Sequence, residues 1–150
     1  MTQTARSLRA RGFTLIEMIV VIAMIGLVMM MGYRSMSGAL RASRARQAGQ
    51  IVAADLEQAF TLAALQRRPV RIQWDAGAMT YTLRDRRTGA ALLTRRIGTG
   101  DIGVGAASFS SNPVDVFPGG IASSQLRITL TSGASSHVVT MTRAGLVVVN

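Results

Sequence analysis

A single carboxylate lies inside the most apolar stretch of the chain. Residues 13–33 read FTLIEMIVVIAMIGLVMMMGY, and Glu17 is their one acidic residue. A helix of about 20 residues rises about 30 Å, which is the thickness of the hydrocarbon core of a bilayer. A carboxylate in that setting is costly unless a cation meets it, and it is then a candidate functional group. The pattern therefore predicts a membrane-spanning helix over 13–33 that carries one functional acid.

Three other interpretations of this apolar run explain less. A secretory signal peptide has a shorter apolar region, of about 7 to 15 residues, and a small-residue cleavage site that is not clear here. A plain single-pass anchor agrees with Arg6, Arg9 and Arg11 before the run, but arginines also follow it and leave the orientation open. A buried core helix would need a larger domain to cover all its faces. None of the three accounts for Glu17.

The sequence contains no constellation of residues for catalysis or metal binding. The chain has no cysteine and one histidine, His137, so it lacks thiol ligands and a second imidazole for a metal site. Asp55 and Glu57 are two residues apart and point to different faces of a helix. Asp101 and Asp115 are too isolated for a calcium site, and the segment GTGDIGVG lacks the lysine of a phosphate-binding loop. We expect no enzyme activity, no metal and no cofactor.

Arginine dominates the charge of the chain. The 17 basic residues outnumber the 7 acidic ones and give a net charge of +10, which permits nucleic acid, anionic lipid or acidic protein as partners and selects none. Arg41, Arg44 and Arg46 follow the apolar run, where they would meet lipid headgroups, acidic neighbours or solvent.

A second arginine set is a candidate for contacts with an anionic partner or nucleic acid. It consists of Arg84, Arg86, Arg87, Arg95 and Arg96. With Trp74 and Tyr81 nearby, such a set could contact phosphates and bases. A solvated basic sheet edge that discourages aggregation is the simpler interpretation, and we prefer it.

The rest of the pattern predicts an α+β fold. Residues 34–68 continue as an amphipathic helix, because Val52, Leu56 and Phe60 recur at helical spacing, and Pro69 ends it. Residues 69–150 form short alternating segments separated by turns, which is typical of antiparallel strands.

The segment RGFTLIE, residues 11–17, resembles the processing site of type IV pilins and pseudopilins. In that family a prepilin peptidase cuts after the glycine and methylates the new N-terminal amine. The resemblance implies a leader peptide over 1–12, cleavage between Gly12 and Phe13, and N-methylation of Phe13. It also implies a role in subunit assembly for Glu17, which would pair with the new ammonium group of a neighbouring subunit.

The remainder of the chain resembles the GspH/FimT group of minor pseudopilins and minor pilins. The resemblance rests on LAALQRRPVRIQW, VFPGG, LRITLTSG and HVVTMTRAGLVVV. It implies a pilin-like fold, in which a long N-terminal helix packs on an antiparallel sheet. Residues 13–33 would then form a membrane and filament-core helix, residues 34–68 its amphipathic continuation, and residues 69–150 a periplasmic β-rich domain.

This resemblance implies a structural minor pseudopilin of a type II protein secretion system. Such a subunit lies in the bacterial inner membrane by a single span and assembles near the tip of a periplasmic pseudopilus. Its partners would be other major and minor pseudopilins, prepilin peptidase, the inner-membrane assembly platform, the secretin or an exoprotein, and membrane lipid.

The alternative is a FimT-like minor type IV pilin that binds DNA for uptake. Many FimT-like members carry Gly-Arg at the final turn, where this chain has Gly145-Leu146, and this departure favours the secretion variant.

Overall fold

The computed structural model describes residues 13–98 and 102–150, with the side chains of 31–37 excepted. The chain divides into two compact units, residues 1–37 and residues 38–150. The predicted leader, with Gly12, lies outside the described residues. Helix α1 spans Leu15–Gln66. The described residues also form eight strands: β1 (Val70–Asp75), β2 (Thr80–Asp85), β3 (Ala91–Arg96), β4 (Ala106–Phe109), β5 (Val114–Val116), β6 (Leu126–Ser132), β7 (Ser135–Met141) and β8 (Val147–Val149).

A threonine caps the start of α1. The Oγ1 atom of Thr14 accepts a hydrogen bond from the backbone N–H of Glu17 at 3.3 Å, and the Thr14 carbonyl accepts one from Met18 at 3.2 Å. The first contact satisfies an N–H group that has no partner within the helix, and the second is the first bond of the helical ladder. Glu17 therefore lies in the first turn, where the helix dipole favours a negative charge.

Arginine occupies the position at the end of α1 where glycine is usual. Arg67 has a φ of 50°, and its N–H donates to the carbonyl of Ala64 at 3.3 Å while Arg68 donates to Ala63 at 3.2 Å. This pair of bonds is a Schellman motif, which closes a helix with one left-handed residue. Pro69 follows and cannot continue the helix.

The side chains of residues 13–30 are all exposed, although most of them are apolar. Among the described residues, no helical stretch is both long enough and apolar enough to span a bilayer.

The strands of residues 38–150 form two antiparallel sheets. Sheet A has the order β3-β2-β1-β5, and sheet B has the order β4-β6-β7-β8. The segments VRIQWD and TYTLRD form a hairpin of β1 and β2, paired from Val70↔Asp85 to Asp75↔Thr80. The α+β class with antiparallel strands is thereby confirmed, and the strands divide into two sheets.

One face of α1 packs into the core of the unit over residues 38–150. The buried residues of this face recur every three or four positions; they are Ala45, Ala48, Val52, Asp55, Leu56, Ala59 and Ala63. Alanines leave room for the helix backbone to approach the sheets closely. Between the sheets, the ring of Trp74 on β1 stacks on that of Phe109 on β4, with 4.4 Å between the ring centroids. Helix and both sheets thus share one hydrophobic cluster.

A charged residue on the buried helix face ties α1 to sheet A. The guanidinium of Arg95 on β3 donates two hydrogen bonds to the Asp55 carboxylate, at 2.8 and 2.9 Å, and the Tyr81 hydroxyl on β2 donates a third. Tyr81 and Arg95 are cross-strand partners. Burial and the bond to Asp55 raise the pKa of Tyr81 above its usual value, so the phenol stays a donor. The hydrogen bond to Asp55 likewise raises the pKa of Arg95.

Two further aspartates hold local structure through arginines and backbone groups. The N–H groups of Arg87 and Thr88 donate to Asp85 and close the β2–β3 turn, and the bond from Thr88 is the main reason that the pKa of Asp85 is lowered. Arg71 on β1 binds Asp115 on β5 through two hydrogen bonds at 2.8 and 3.1 Å, and these lower the pKa of Asp115. Each contact stabilises the charged carboxylate.

Replacing Asp55 by Asn tests whether this carboxylate stabilises the fold. The substitution leaves the Arg95 guanidinium without its counter-ion beside the core, and we expect the free energy of unfolding to fall by about 2 kcal/mol. Urea unfolding of residues 38–150, which contain the hydrophobic cluster, measures the change.

Glu57→Gln is the matched control, since it neutralises an exposed carboxylate on the same helix. It should change stability by less than about 0.5 kcal/mol. Equal unfolding midpoints for the two variants would refute the stabilising role of Asp55.

Candidate functional site

The candidate assembly site consists of Phe13 and Glu17 at the start of α1. Glu17 lies four residues after Phe13, which is 71% exposed, and the acid is also exposed. Among residues 13–98 and 102–150, the ion pairs do not include Glu17. The other predicted site residue, Gly12, lies outside the described residues. The arrangement exposes one carboxylate that can form an ion pair with a cationic group of another molecule.

Exposed apolar side chains surround Glu17 on the helix. Ile16, Val20 and Val21 lie within one turn of it and are 67%, 45% and 45% exposed. An apolar surface of this extent on a soluble protein marks a contact with a partner or a membrane. If another molecule covered this apolar surface, Glu17 would lie in a medium of low dielectric constant. An unpaired charge is costly there, whereas an ion pair is tolerated only in a favourable geometry.

Two of the five arginines that are candidates for contacts with an anionic partner form ion pairs within the chain. Arg95 binds Asp55, and the Nε of Arg86 lies 3.4 Å from Asp115. Arg84 donates to the carbonyl of Gly89 at 3.2 Å within the β2–β3 turn. The structure therefore separates the set: Arg95 faces the helix, whereas the remaining members lie on the exposed side of sheet A and its turn.

The two aromatic residues near this set are buried. Trp74 is 8% exposed and stacks on Phe109, and Tyr81 is 1% exposed and binds Asp55. Neither ring can stack on a nucleic-acid base without opening the core. This burial does not support the less favoured interpretation, in which these aromatics supplement the arginines as base contacts, because alternation along β1 and β2 turns both side chains inward.

Sequence reasoning missed the network of Asp55, Arg95 and Tyr81. The signal was present, since Asp55 lies three residues after Val52 and four before Ala59 on the apolar face of the helix. A carboxylate on a buried face requires a partner. The identity of that partner depended on the pairing of strands far along the chain. Among the described residues, no cluster of His, Asp or Glu could hold a metal ion.

Two family models match the chain. The model described as the prokaryotic N-terminal methylation motif matches residues 7–33, the segment that contains the predicted cleavage site and Glu17. The model described as type II transport protein GspH matches residues 48–145, which include about the last third of α1 and nearly all the strands. No curated protein sequence matches.

Solved structures of minor pilins and pseudopilins share the fold. The type IV minor pilin FimU of Pseudomonas aeruginosa has a TM-score of 0.58 at 16% identity, over 70% of this chain and 91% of FimU. The minor pseudopilin EpsH from the type 2 secretion system of Vibrio cholerae has a TM-score of 0.57 at 14% identity, over 71% of this chain and 96% of EpsH. The predicted pilin-like fold is confirmed.

The GspH match extends over more than half of the chain and follows a methylation motif at the expected place. The chain therefore belongs to the GspH family of type II transport proteins.

Proposed function

We propose that this chain is a structural minor pseudopilin of a type II protein secretion system. The observation that carries the proposal is the combination of a GspH domain with an exposed carboxylate, Glu17, in the first turn of an apolar helix. The shared fold with EpsH, a minor pseudopilin of such a system, supports it.

Processing would create the cation that Glu17 needs. In our proposal prepilin peptidase cuts between Gly12 and Phe13 and methylates the new amine, which remains positively charged. Gly12 has no side chain, and this leaves the scissile peptide accessible. Residues 13–33 hold the chain in the inner membrane before assembly, and the unit over 38–150 lies in the periplasm.

Assembly would then pair the charges of different subunits. The Glu17 carboxylate accepts a hydrogen bond from the Phe13 ammonium of a neighbour, while the apolar side chains of residues 13–30 cover one another. A charge pair in a low dielectric has a strong distance dependence, so it favours one axial stagger between helices. We place the subunit near the tip of the pseudopilus, in contact with other major and minor pseudopilins and with the inner-membrane assembly platform.

No observation favours the alternative, a minor type IV pilin that captures DNA. FimU, a type IV minor pilin, shares the fold at low identity, and fold alone does not decide between the two systems. Of the five arginines considered for phosphate contacts, Arg86 and Arg95 are ion-paired, and the aromatics beside them are buried.

A host that lacks the chain distinguishes the two systems. We expect exoproteins to accumulate in the periplasm, because the pseudopilus would not form normally, whereas DNA uptake should be unchanged. Exoprotein activity in medium and periplasm and the transformation frequency measure the two outcomes, with the restored wild-type chain as control. Normal secretion together with lost DNA uptake would favour the pilin alternative.

Replacing Gly12 by Ala tests the processing step. The added methyl group should block cleavage, so mass spectrometry should find the uncut chain, while wild type should begin at N-methylated Phe13. Gly26→Ala is the matched control, since a Cβ at Gly26 meets no atom within 4 Å, and it should be processed normally. A wild-type chain that retains Met1 would contradict the proposal.

Replacing Glu17 by Gln tests the assembly step separately. The amide removes the charge and nearly preserves the shape, so we expect normal cleavage but incorporation into pseudopili reduced by about tenfold or more. Quantitative immunoblots of sheared pseudopili measure incorporation. The control Glu57→Gln makes the same change at an exposed position of α1 within the unit over 38–150. Unchanged incorporation of the Glu17 variant would remove this role for the carboxylate.

A further inference from the structure

Strand β3 forms an open edge of sheet A. The sheet ends in β3 on one side and in β5 on the other. The β5 edge is covered, because the Ser123 N–H donates to the Asp115 carbonyl at 2.8 Å and the Asp115 N–H donates to the Ser123 hydroxyl at 3.0 Å. Among the described residues, the backbone of β3 bonds to β2 alone. Its outer side therefore keeps unpaired backbone groups.

The pairing with β2 decides which of these groups face outward. The Ile97 N–H donates to the Met79 carbonyl at 2.9 Å, just beyond the last residue of β3. Bonded and unbonded positions alternate along an antiparallel pair, so Arg95 is bonded to β2, whereas Thr94 and Arg96 direct their N–H and C=O groups away from it. Each of these two residues offers one donor and one acceptor, which is the pattern that an added strand requires.

The side chains of β3 leave this edge accessible. Thr94 and Arg96 are exposed, and alternation along the strand places them on the face opposite to Arg95. Arg95 faces α1, where it binds Asp55. A strand added beside β3 thus leaves the contact between Arg95 and Asp55 intact.

The charges beside the edge favour an acidic strand. Arg87 in the β2–β3 turn and Arg96 are exposed, and the ion pairs of the described residues include neither. The acid nearest in sequence, Asp85, is buried and accepts bonds from the N–H groups of its own turn. Carboxylates of an added strand would meet these arginines, whereas the β3 strand of a second copy would bring like charges together.

We propose that β3 binds an acidic, extended segment of another protein as an added antiparallel strand of sheet A. The backbone groups of Thr94 and Arg96 bond to the segment, and carboxylates on its alternate residues contact Arg87 and Arg96. The antiparallel direction follows from its more stable pairing. The inference goes beyond the proposed function, since it concerns the unit over 38–150 alone and requires neither processing nor assembly.

Single-stranded nucleic acid is also anionic, but it fits this edge less well. Its bases stack on exposed aromatic side chains, and Trp74 and Tyr81 are buried. The unpaired N–H and C=O groups of β3 alternate at the spacing of a peptide backbone. A peptide therefore satisfies both the charges and the backbone of the edge.

The binding test uses the full chain in detergent micelles and a short fluorescent peptide in which glutamate alternates with threonine. Residues directly opposite one another share a face of a sheet, so the glutamates that lie opposite Thr94 and Arg96 turn their N–H groups toward β3. N-methylation of the glutamates should weaken binding about fivefold for each lost hydrogen bond. N-methylation of the threonines is the matched control and should have little effect, and a peptide with lysine in place of glutamate should not bind.

Hydrogen exchange locates the bound peptide. The N–H groups of Thr94 and Arg96 should exchange more slowly in the presence of the acidic peptide. Those of Leu93 and Arg95 already bond to β2 and should change little. Slower exchange confined to the outward groups would show that the peptide adds to this edge.

Matched double variants separate the edge from the general charge of the chain. Arg87→Gln/Arg96→Gln should weaken binding of the acidic peptide about threefold, the effect of losing two exposed ion pairs. Arg127→Gln/Arg143→Gln removes the same charge at exposed positions on β6 and after β7, and it should bind as wild type does. Equal unfolding midpoints would confirm that both variants fold.

The outcomes that would overturn the inference are distinct. They are equal affinity for the acidic and lysine peptides, equal effects of methylation at glutamate and threonine, and unchanged exchange at Thr94. A single-stranded oligonucleotide that binds more tightly than the acidic peptide, and loses affinity with Arg87 and Arg96, would assign the edge to nucleic acid and overturn the choice of partner. The proposed function would fail separately, by an uncut N-terminus or by normal secretion without the chain.

Discussion

The packing of this domain depends on the contact between the Asp55 carboxylate and its partners on sheet A. Burial of the apolar face of α1 supplies a driving force that is not directional. Asp55 makes the contact directional, since its charge is tolerated only where Arg95 and Tyr81 meet it. One position of α1 satisfies the three groups together, and the apolar residues on either side then pack in register.

The same physical rule applies to Glu17 with a different outcome. Asp55 finds its cation within the chain, at a sequence separation of 40 residues. Glu17 lies on a helix segment whose side chains are exposed, and the ion pairs of the described residues do not include it. A carboxylate among apolar groups that are covered is costly without a counter-ion, and in our proposal the counter-ion of Glu17 is the Phe13 ammonium of a neighbouring subunit. Asp55 thus acts in folding, whereas we propose that Glu17 acts in assembly.

The local sequence pattern predicted the helix and most strands better than it predicted the long-range contacts between them. Pro69 and the spacing of Val52 and Leu56 predicted the helix and its end, although the Schellman turn uses Arg67 rather than a glycine. The strand at Phe109 lies in a segment rich in Gly and Ser, a composition that is typical of loops. The stacking of Phe109 on Trp74 helps to join the two sheets. That contact could not be read locally because it depends on which strands meet.

The residues of the candidate sites show the same difference between local motifs and long-range contacts. Gly12, Phe13 and Glu17 lie within one seven-residue motif, RGFTLIE, that could be recognised from sequence. The inward orientation of Arg95, in contrast, required the register of β2 and β3. Because aspartates neutralise only some of the arginines, the unit over 38–150 keeps an excess of positive charge. Like charges oppose contacts between identical copies of this unit. The proposed assembly through the apolar N-terminal segment avoids this repulsion, and there a single pair of opposite charges can determine how neighbouring helices align.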